Sequence, residues 1–287
     1  MVRKRGLIHK VKHLLKKAGM PKYLHHFGPK MYKLWQHVFA LFFKADCNLS
    51  YRRANQILSE LGFKVASKST LQRYSAKLKL PFWRKIFDFT VESASSIFAI
   101  DGTGLEKTNA SKHYIKRIDG EYKFSKGFHF SIAVDEKGKI QNFRLRKNYE
   151  HDAKDIKLLI RAARNKPKIV IMDKGYDAEW IHEFLEFQGI QSIAPVRSNA
   201  KRGFFRKKLM KNFPKELYGK RNMAESIIHA FKQKFGSSVS SRNIASARSE
   251  VYCKAIFHNI FLRIFQVLGQ THLFSNVYKE KNIVSEK

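Results

Sequence analysis

The hydrophobic pattern changes its period near residue 90, and this change constrains the fold more than any other feature of the sequence. Before it, apolar residues recur at the three- and four-residue spacing of amphipathic helices. After it, short apolar runs bounded by Asp, Gly and Lys are typical of β-strands, first in hairpins and then in alternation with helices. This order predicts an α/β domain with one mixed sheet flanked by helices, preceded by an all-α region.

The same patterns give the predicted elements of the second part. A buried strand at 96–100 is followed by two hairpins, at 114–124 and 127–146. There follow, in chain order, a helix at about 152–164, a strand at 168–172, a helix at 178–188, a strand at 190–196, a basic loop at 198–214, a long helix at about 220–235 and an apolar helix at 251–268.

The charge of the chain limits its partners. There are 57 Lys and Arg against 23 Asp and Glu, a formal net charge of +34, and 44% hydrophobic residues, too many for a disordered basic tail. Such a surface attracts polyanions, so nucleic acid is the expected partner and an anionic membrane the second choice. No apolar signal core follows the N-terminus, and charged residues interrupt the most apolar stretch. We therefore expect a cytoplasmic, nucleoid-associated protein with no membrane partner.

The segment 1–47 is a basic region with no acidic residue before Asp46. Apolar residues such as Leu14, Leu15, Leu34 and Val38 are interleaved with its lysines near helical spacing. We expect basic amphipathic helices that lie against phosphates, and a solvated basic arm is the alternative.

The segment 48–92 has the pattern of a helix-turn-helix. Ser50 is placed to cap one helix, Gly62 to end it, and Ser67 or Ser69 to cap a second. The second helix would present outward three polar side chains suited to the major groove of DNA: Gln72, Arg73 and Lys77. Because short helix pairs joined by a glycine occur in many α domains, a purely structural pair is the alternative.

Two of the few acidic residues follow the two most apolar strands directly. Asp101 comes after the run that ends at Ile100, and Asp173 comes after Met172. Asp-Gly and Asp-Lys-Gly are also ordinary turn sequences, so each residue alone has a structural explanation. Together, carboxylates at the ends of neighbouring strands would converge and could hold a divalent metal. Asp152 stands at the start of a predicted helix, where an N-cap explains it and a supporting role in this site is the alternative.

A third carboxylate comes from the predicted helix at 220–235. Arg221, Glu225 and Lys232 project within about 40° of one another on that helix, beside its apolar face. A surface ion pair between Arg221 and Glu225 would contribute only about 0.3–0.5 kcal/mol. That alternative explains one pair, but it does not explain an acidic residue among so many basic ones.

These residues resemble the motifs of a known family. Tyr218, Arg221, Glu225 and Lys232, separated by two, three and six residues, match all four positions of the YREK signature of prokaryotic insertion-sequence transposases of the DDE class. Asp101 in DGTG and Asp173 in MDKGYD are similar to the first and second acidic motifs of that family. The resemblance covers about 97–267, and upstream of it only a generic helix-turn-helix is shared.

The resemblance implies an RNase H-like catalytic domain at 93–270, followed by a polar tail at 271–287. It implies that Asp101, Asp173 and Glu225 are the catalytic carboxylates. Hard oxygen ligands of this kind suit two Mg2+ ions, with Mn2+ as a substitute, which would activate the attacking oxygen and stabilise the leaving one. Arg221 and Lys232 would contact phosphates, and Tyr218 would help to position the DNA end.

The implied activity is cleavage of double-stranded DNA at the terminal inverted repeats of an insertion sequence and strand transfer into target DNA. A homodimer is expected because two ends must be joined together. Two alternatives stay open at this point: a catalytically inactive DNA-binding protein derived from a transposase, and another RNase H-like nuclease.

Overall fold

A computed structural model describes residues 6–24, 27, 30–91, 95–107, 127–147, 151–200, 202–241 and 243–267, with the backbone alone over 263–267. The predicted hairpin at 114–124 and the polar tail at 271–287 lie outside the described residues. The helices are α1 (Leu7–Lys17), α2 (Leu34–Asp46), α3 (Tyr51–Glu60), α4 (Lys68–Lys77), α5 (Leu80–Asp88), α6 (Ile156–Arg161), α7 (Glu179–Phe187), α8 (Phe204–Lys211), α9 (Lys215–Gly219), α10 (Asn222–Phe235) and α11 (Ile244–Val267). The strands are β1 (Ile97–Lys107), β2 (Phe128–Asp135), β3 (Ile140–Arg146), β4 (Ile169–Met172), β5 (Gln191–Ile193) and β6 (Ser238–Val239).

The sheet has the strand order β3-β2-β1-β4-β5, and the two-residue β6 pairs with the far end of β1. The hairpin strands β2 and β3 run antiparallel to their neighbours, whereas β4 and β5 run parallel to β1. Strands that follow one another through tight turns pair antiparallel, and strands joined through helices pair parallel. The predicted mixed sheet flanked by helices is therefore confirmed.

The two faces of the sheet are covered by different helices. Alternate residues of a strand point to opposite faces, so Ala99 and Leu105 of β1 pack with α10 and α11, whereas Phe98 and Ile100 pack with α6 and α7. Asp101 and Thr103 share the face of Ala99, and Gly102 belongs to the opposite face. This alternation decides which helices can supply partners to the end of β1.

The all-α region shares its hydrophobic core with the first face of the sheet. Phe42 of α2 lies with its ring centroid 6.5 Å from that of Phe257 of α11 and 6.3 Å from that of Trp83 of α5, and all three rings are buried. Leu58 and Leu71, from α3 and α4, belong to the same buried cluster. Deleting α3 and α4 would therefore expose part of the buried cluster that covers the first face of the sheet.

The caps of α3 and α4 are those predicted. The Ser50 hydroxyl accepts a hydrogen bond from the Arg53 amide at 3.2 Å, and the Ser67 hydroxyl accepts one from the Thr70 amide at 3.4 Å. Gly62, which follows α3, has a φ of 77°, a value that glycine adopts without strain.

Three predicted elements between β3 and α9 differ from those observed. The basic loop at 198–214 contains α8, whose first amides, those of Phe205 and Arg206, donate to the Glu179 carboxylate at 2.9 and 3.4 Å. Glu179, 26 positions before Phe205, thus accepts the hydrogen bonds that an N-cap residue would accept. No pattern of neighbouring residues predicts this contact. The helix predicted at 152–164 is a 3-10 turn (Asp152–Asp155) followed by the short α6, and the strand predicted at 190–196 has only three residues.

None of the helices in the described part of the chain is long and apolar enough to cross a membrane.

Candidate active site

Asp101 and Asp173 lie side by side at the end of the parallel pairing between β1 and β4. The last paired residues are Ile100 and Met172, and each carboxylate occupies the next position of its own strand. Neighbouring strands lie about 4.8 Å apart, so the two residues are adjacent. The sequence prediction that these two acids come together is supported by this register.

The predicted end of the first strand at Asp101 is wrong. β1 continues to Lys107, because Asp101 and Gly102 pair with Ile132 and Ser131 of β2. The Asp-Gly turn considered above does not exist, and Asp101 is a residue of a continuous central strand. The neighbouring strand β4 does end at this level. Asp101 is therefore the first residue of β1 that has no paired residue in β4.

Backbone amides orient both carboxylates. Asp101 Oδ1 accepts a hydrogen bond from the Gly102 amide at 2.8 Å. Asp173 Oδ1 accepts one from the Gly175 amide at 2.6 Å, which caps the 3-10 turn Lys174–Tyr176. Within the described part of the chain, these hydrogen bonds are made through Oδ1 of each carboxylate.

The pKa of Asp101 depends on the charged groups around it. The pKa of Asp101 is raised to about 6: burial is the largest cause, the carboxylates of Asp173 and Glu225 also raise the pKa, and the Gly102 amide and Arg221 oppose the shift. Glu225 and Arg221 belong to α10 and its N-terminus, which packs on the Asp101 face of the sheet. The three predicted acids therefore interact through space, although 52 residues separate the last two in the sequence.

Glu225 is held by its own helix. Its Oε1 lies 2.8 Å from Nη1 of Arg221, one turn earlier, and about half of the Glu225 side chain is exposed. The ion pair considered as the structural alternative is thus present. The Arg221 guanidinium also lies 5.9 Å from the centroid of the Tyr218 ring on α9. Burial raises the pKa of Tyr218, Arg221 opposes the shift, and Asp173 and Glu225 add to it, so Tyr218 lies within reach of the same charges.

Lys232, two turns further along α10, also contacts β1. Its Nζ donates a hydrogen bond to the Thr103 hydroxyl at 2.6 Å. Burial lowers the pKa of Lys232, and the charges of Glu106 and Asp101 oppose that shift. The four YREK residues therefore line one side of the Asp101 and Asp173 pair.

The donor set fits a hard divalent cation only in part. Asp101 and Asp173 supply adjacent carboxylate oxygens, which suit Mg2+ or Mn2+. Glu225 is engaged by Arg221, and across the described residues no group of three Asp, Glu, His or Cys side chains is arranged to hold one ion. A pair of ligands is thus in place, and the third would have to leave its ion pair to join them.

One residue near the site, His129, was missed by the sequence analysis, and it contacts Asp152. Asp152 is not the N-cap of its turn, since the His151 ring nitrogen accepts from the Ala153 amide at 3.4 Å. Instead, Asp152 Oδ1 lies 2.8 Å from Nε2 of His129 on β2. The supporting role considered for Asp152 was the only indication of this contact in the sequence, and nothing there indicated His129.

A shallow recess of about 500 Å3 lies next to Asp173. Lys174, Gly175, Arg197, Ser198 and Asn199 line it. The Arg197 guanidinium donates to the carbonyl oxygens of Gly175 and Lys174, at 3.0 and 3.3 Å, so it is held at the recess with its positive charge.

Gln72, Arg73 and Lys77 are all exposed, on the outer side of α4. On the other side of this segment, Leu71 and Leu78 are buried and Tyr74 is half-buried. The predicted DNA contacts of α4 stay a prediction, because exposure alone does not identify a partner.

The chain was compared with known proteins. The family model described as Transposase DDE domain matches residues 92–260, more than half of the chain. A search of curated proteins returned no match.

Among solved structures, the chain is similar to piggyBac transposase in a cryo-EM synaptic complex with hairpin DNA. The identity is 10%, the TM-score is 0.48, and the match covers 93% of this chain and 74% of that one. It is also similar to the catalytic core domain of BIV integrase, with 13% identity, a TM-score of 0.27 and coverage of 55% and 82%. Both scores are below 0.5, so the assignment rests on the family match, and by that match this chain belongs to the Transposase DDE domain family.

Proposed function

We propose that this transposase cuts DNA at the ends of an insertion sequence and joins the freed ends to target DNA, with Asp101, Asp173 and Glu225 as its catalytic carboxylates. The family places the chain among enzymes of DNA transposition. The observation that carries the assignment of residues is the adjacency of Asp101 and Asp173 at the end of the β1–β4 pairing, beside Glu225.

The proposed reaction breaks a P–O3′ bond of the DNA backbone with water, which leaves a 3′-hydroxyl. In the second step, that hydroxyl oxygen attacks a phosphorus of the target, a new P–O bond forms, and the displaced target 3′-oxygen takes up a proton. Only the attacking oxygen differs between the two steps, so one site serves both. When bound, divalent ions such as Mg2+ would stabilise the charge on the attacking and leaving oxygens.

Different residues of the site would bind the metal ion, the phosphates and the DNA end. Asp101 and Asp173 would hold a metal ion between neighbouring strands, and Glu225 would join them from α10 once a phosphate competes for Arg221. Arg221 and Lys232 place two cations on the Glu225 side of the site, where they would bind phosphate oxygens near the scissile bond. Tyr218, packed under Arg221, would keep the DNA end in register.

DNA binding outside the catalytic site is proposed for two regions. Gln72, Arg73 and Lys77 would read the terminal inverted repeat from α4, as the second helix of a helix-turn-helix. The basic segment 1–47, with α1 and α2, would add contacts to phosphates. We further propose the domain bounds given above and a homodimer that holds two ends.

The test is a cleavage assay on a duplex that carries one end of the element, with Mg2+ or Mn2+. We expect Asp101→Asn, Asp173→Asn and Glu225→Gln each to abolish nicking, while binding of the duplex persists. Matched controls are Asp88→Asn on α5 and Glu136→Gln in the β2–β3 turn, which remove one acidic charge each outside the site. Nicking by Asp173→Asn and Glu225→Gln at the parental rate would overturn the assignment. If the parent protein itself binds the duplex but does not nick it, the result would favour a catalytically inactive DNA-binding protein derived from a transposase.

A further inference from the structure

The short helix α8 is basic and contributes no buried residue to the core. None of its eight residues is buried, and none is acidic. Three lysines and a phenylalanine on this helix are exposed: Phe204, Lys207, Lys208 and Lys211. At about 100° per residue, these four side chains project within about 100° of one another. The helix therefore presents a single cationic face to the solvent.

The lysines of this face are not neutralised by the chain itself. Within the part of the chain that the structure describes, none of the three forms an ion pair with an acidic side chain. Other cations nearby are paired, since Arg206 lies 2.8 Å from Asp177 and Lys220 lies 2.8 Å from Glu136. Two of the three lysines also stand one turn apart, a spacing at which like charges destabilise a helix. A polyanion bound to this face would remove that repulsion.

Polar contacts at the first turn hold α8 in place. The Glu179 carboxylate accepts hydrogen bonds from the amides of Phe205 and Arg206, at 2.9 and 3.4 Å. The Arg206 guanidinium donates to the carboxylate and to the backbone carbonyl of Asp177, both at 2.8 Å. Gly203, just before the helix, has a φ of 120°, and a Cβ atom there would collide with the Glu179 carboxylate. Because Glu179 already occupies the N-terminus of α8, a phosphate would bind to the side of the helix and not to its end.

This attachment places α8 on the β5 side of the candidate active site. Asp177 lies four residues after Asp173, and its Oδ2 accepts from the amide of Arg197, just after β5, at 2.8 Å. α8 packs against α7 and α7 against β5, whereas α10 packs on β1 and β2. In the strand order, β4 and β1 lie between β5 and β2. Asp101 and Asp173, at the junction of β1 and β4, therefore lie between α8 and α10 along the sheet.

DNA continues on both sides of the phosphate at which it is cut or joined. The proposed function assigns the α10 side, with Arg221 and Lys232, to the element end. The DNA on the other side of the reacting phosphate would then leave the site toward α8. Lys207 and Lys211 are separated by about 6 Å along the helix axis, and successive phosphates of one DNA strand by about 3.4 Å along the duplex axis. The lysines of α8 can therefore span about two phosphates.

We propose that Lys207, Lys208 and Lys211 bind the DNA backbone beyond the reacting phosphate, which is the flank of the element during cleavage and the target during strand transfer. Glu179 is the residue that positions their helix. The inference rests on the proposed function and adds a DNA-binding surface to α4 and the segment 1–47. Contacts to phosphates carry no sequence information, so a face of lysines suits DNA whose sequence is not fixed.

The first experiment measures how the full-length protein binds a duplex of unrelated sequence over a range of salt concentrations. In the triple variant, the three lysines of the face are replaced: Lys207→Ala, Lys208→Ala and Lys211→Ala. Alanine favours the helix at least as well as lysine, so α8 is kept. We expect affinity at least about tenfold lower and a salt slope smaller by about 2–3, because each lost phosphate contact lowers the slope by about 0.9. Parental affinity and slope would overturn the proposal.

A matched control removes three exposed lysines from other parts of the chain. They lie on α5, in the β2–β3 turn and just before β4: Lys85→Ala, Lys137→Ala and Lys168→Ala. The net charge of this protein equals that of the α8 triple variant. We expect it to keep the parental salt slope. An equal decrease of the slope in both triple variants would show that only the total charge matters, and would also overturn the proposal.

A second variant keeps every lysine and releases the helix. Glu179→Ala removes the cap, and a helix of eight residues does not persist in water without support. Losing an acidic charge should by itself strengthen DNA binding. We nevertheless expect binding of the unrelated duplex to weaken by about fivefold, the usual effect of losing one helix cap. Equal or tighter binding would overturn the positioning role of Glu179.

Two further substitutions on α7 serve as controls for Glu179→Ala. Glu179→Gln keeps an acceptor oxygen for the α8 amides and should bind the duplex like the parent. Glu183→Ala removes an exposed acidic charge from the same helix and should not weaken binding. Weaker binding by Glu183→Ala would assign the effect to α7 itself, against a role of α8.

Strand transfer separates this inference from the proposed function. The substrate is an element end that is already cut, with a plasmid as target. We expect the α8 triple variant to bind this end like the parent and to join it to the plasmid at least about tenfold more slowly. If Asp173→Asn still nicks and joins DNA, the proposed function fails. If Asp173→Asn abolishes both steps while the α8 triple variant joins ends at the parental rate, only the inference on α8 is refuted.

Discussion

Lys232 of α10 donates a hydrogen bond to the Thr103 hydroxyl of β1 at 2.6 Å, two residues beyond Asp101. The contact joins the helix that carries Glu225 to the strand that carries Asp101. It also fixes a positive charge at the edge of the site, where a lysine on a free helix surface would sample many positions.

We predict that Lys232→Ala slows cleavage of an element end by about 100-fold, the usual cost of removing one group that stabilises developing charge. Thr103→Val should slow it less, by about 5-fold, because it removes only the hydrogen bond that positions the ammonium. Both variants should bind Mn2+ like the parent. Single-turnover cleavage is the measurement, and Lys137→Ala, an exposed lysine in the β2–β3 turn, is the control. Parental cleavage by Lys232→Ala would exclude the residue from catalysis.

Cation binding should depend on pH through Asp101. Burial and two neighbouring carboxylates raise the pKa of Asp101 to about 6, and only the ionised form binds a metal. Below that pH, protons compete for the carboxylate, so we predict that Mn2+ affinity falls by about tenfold per pH unit. Titrations between pH 7.5 and pH 5 measure this. An affinity that is equal at both ends of the range would show that Asp101 is not a ligand.

Asp101→Asn should stabilise the metal-free protein at pH 7.5. The pKa of Asp101 is higher in the folded state than the ordinary value of 3.8, so its contribution to stability is lost as the pH rises through about 6. The substitution avoids that loss and keeps an oxygen for the Gly102 amide. We expect a gain of about 1–2 kcal/mol in the free energy of unfolding, reduced from the full shift because the group is partly exposed. Urea unfolding with a chelator present measures it. The gain should vanish near pH 3.5, and a gain that persists there would need another cause.

The proposed DNA contacts of α4 can be tested without disturbing the core, because Arg73 and Lys77 are exposed. The double variant Arg73→Ala and Lys77→Ala should bind an element end at least about tenfold more weakly and with a salt slope smaller by about two. Its circular dichroism and Mn2+ binding should be unchanged. Binding measured over a range of salt concentrations is the assay, with Lys137→Ala as control for the loss of charge. Equal affinity and slope would show that α4 is a structural helix only.

Much of the fold could be predicted because it follows from local patterns. The caps at Ser50 and Ser67, the hairpin of β2 and β3, the apolar strand β4 and the helix α10 all depend on residues a few positions apart. Such short-range preferences are encoded in each segment before the chain folds. The mixed order of the sheet then follows from which connections contain helices.

The elements that were predicted wrongly depend on distant residues. β1 runs on past Asp101 because β2 and β6 pair with it there. α8 forms in the basic segment because Glu179 caps it from α7. The turn at Asp152 is shaped by the contact with His129 on β2. In each case the hydrogen bond that determines the local structure joins residues that are far apart in the chain. The periodicity of the sequence therefore does not predict it.

The sequence by itself determined the basic surface and the family signature, since these are properties of residue type and spacing, and the resemblance to that family indicated the three carboxylates that are proposed as catalytic. Only the tertiary structure decided that Asp101 lies within a continuous strand, that Glu225 is paired with Arg221, and that Asp152 reaches the same strand from its other face. The physical reason is the pleat of β1, which sends Asp101 and Gly102 to opposite sides of the sheet. Glu225 therefore lies on the side of Asp101, and Asp152 lies on the side of Gly102, although Asp101 and Gly102 are neighbours in one strand.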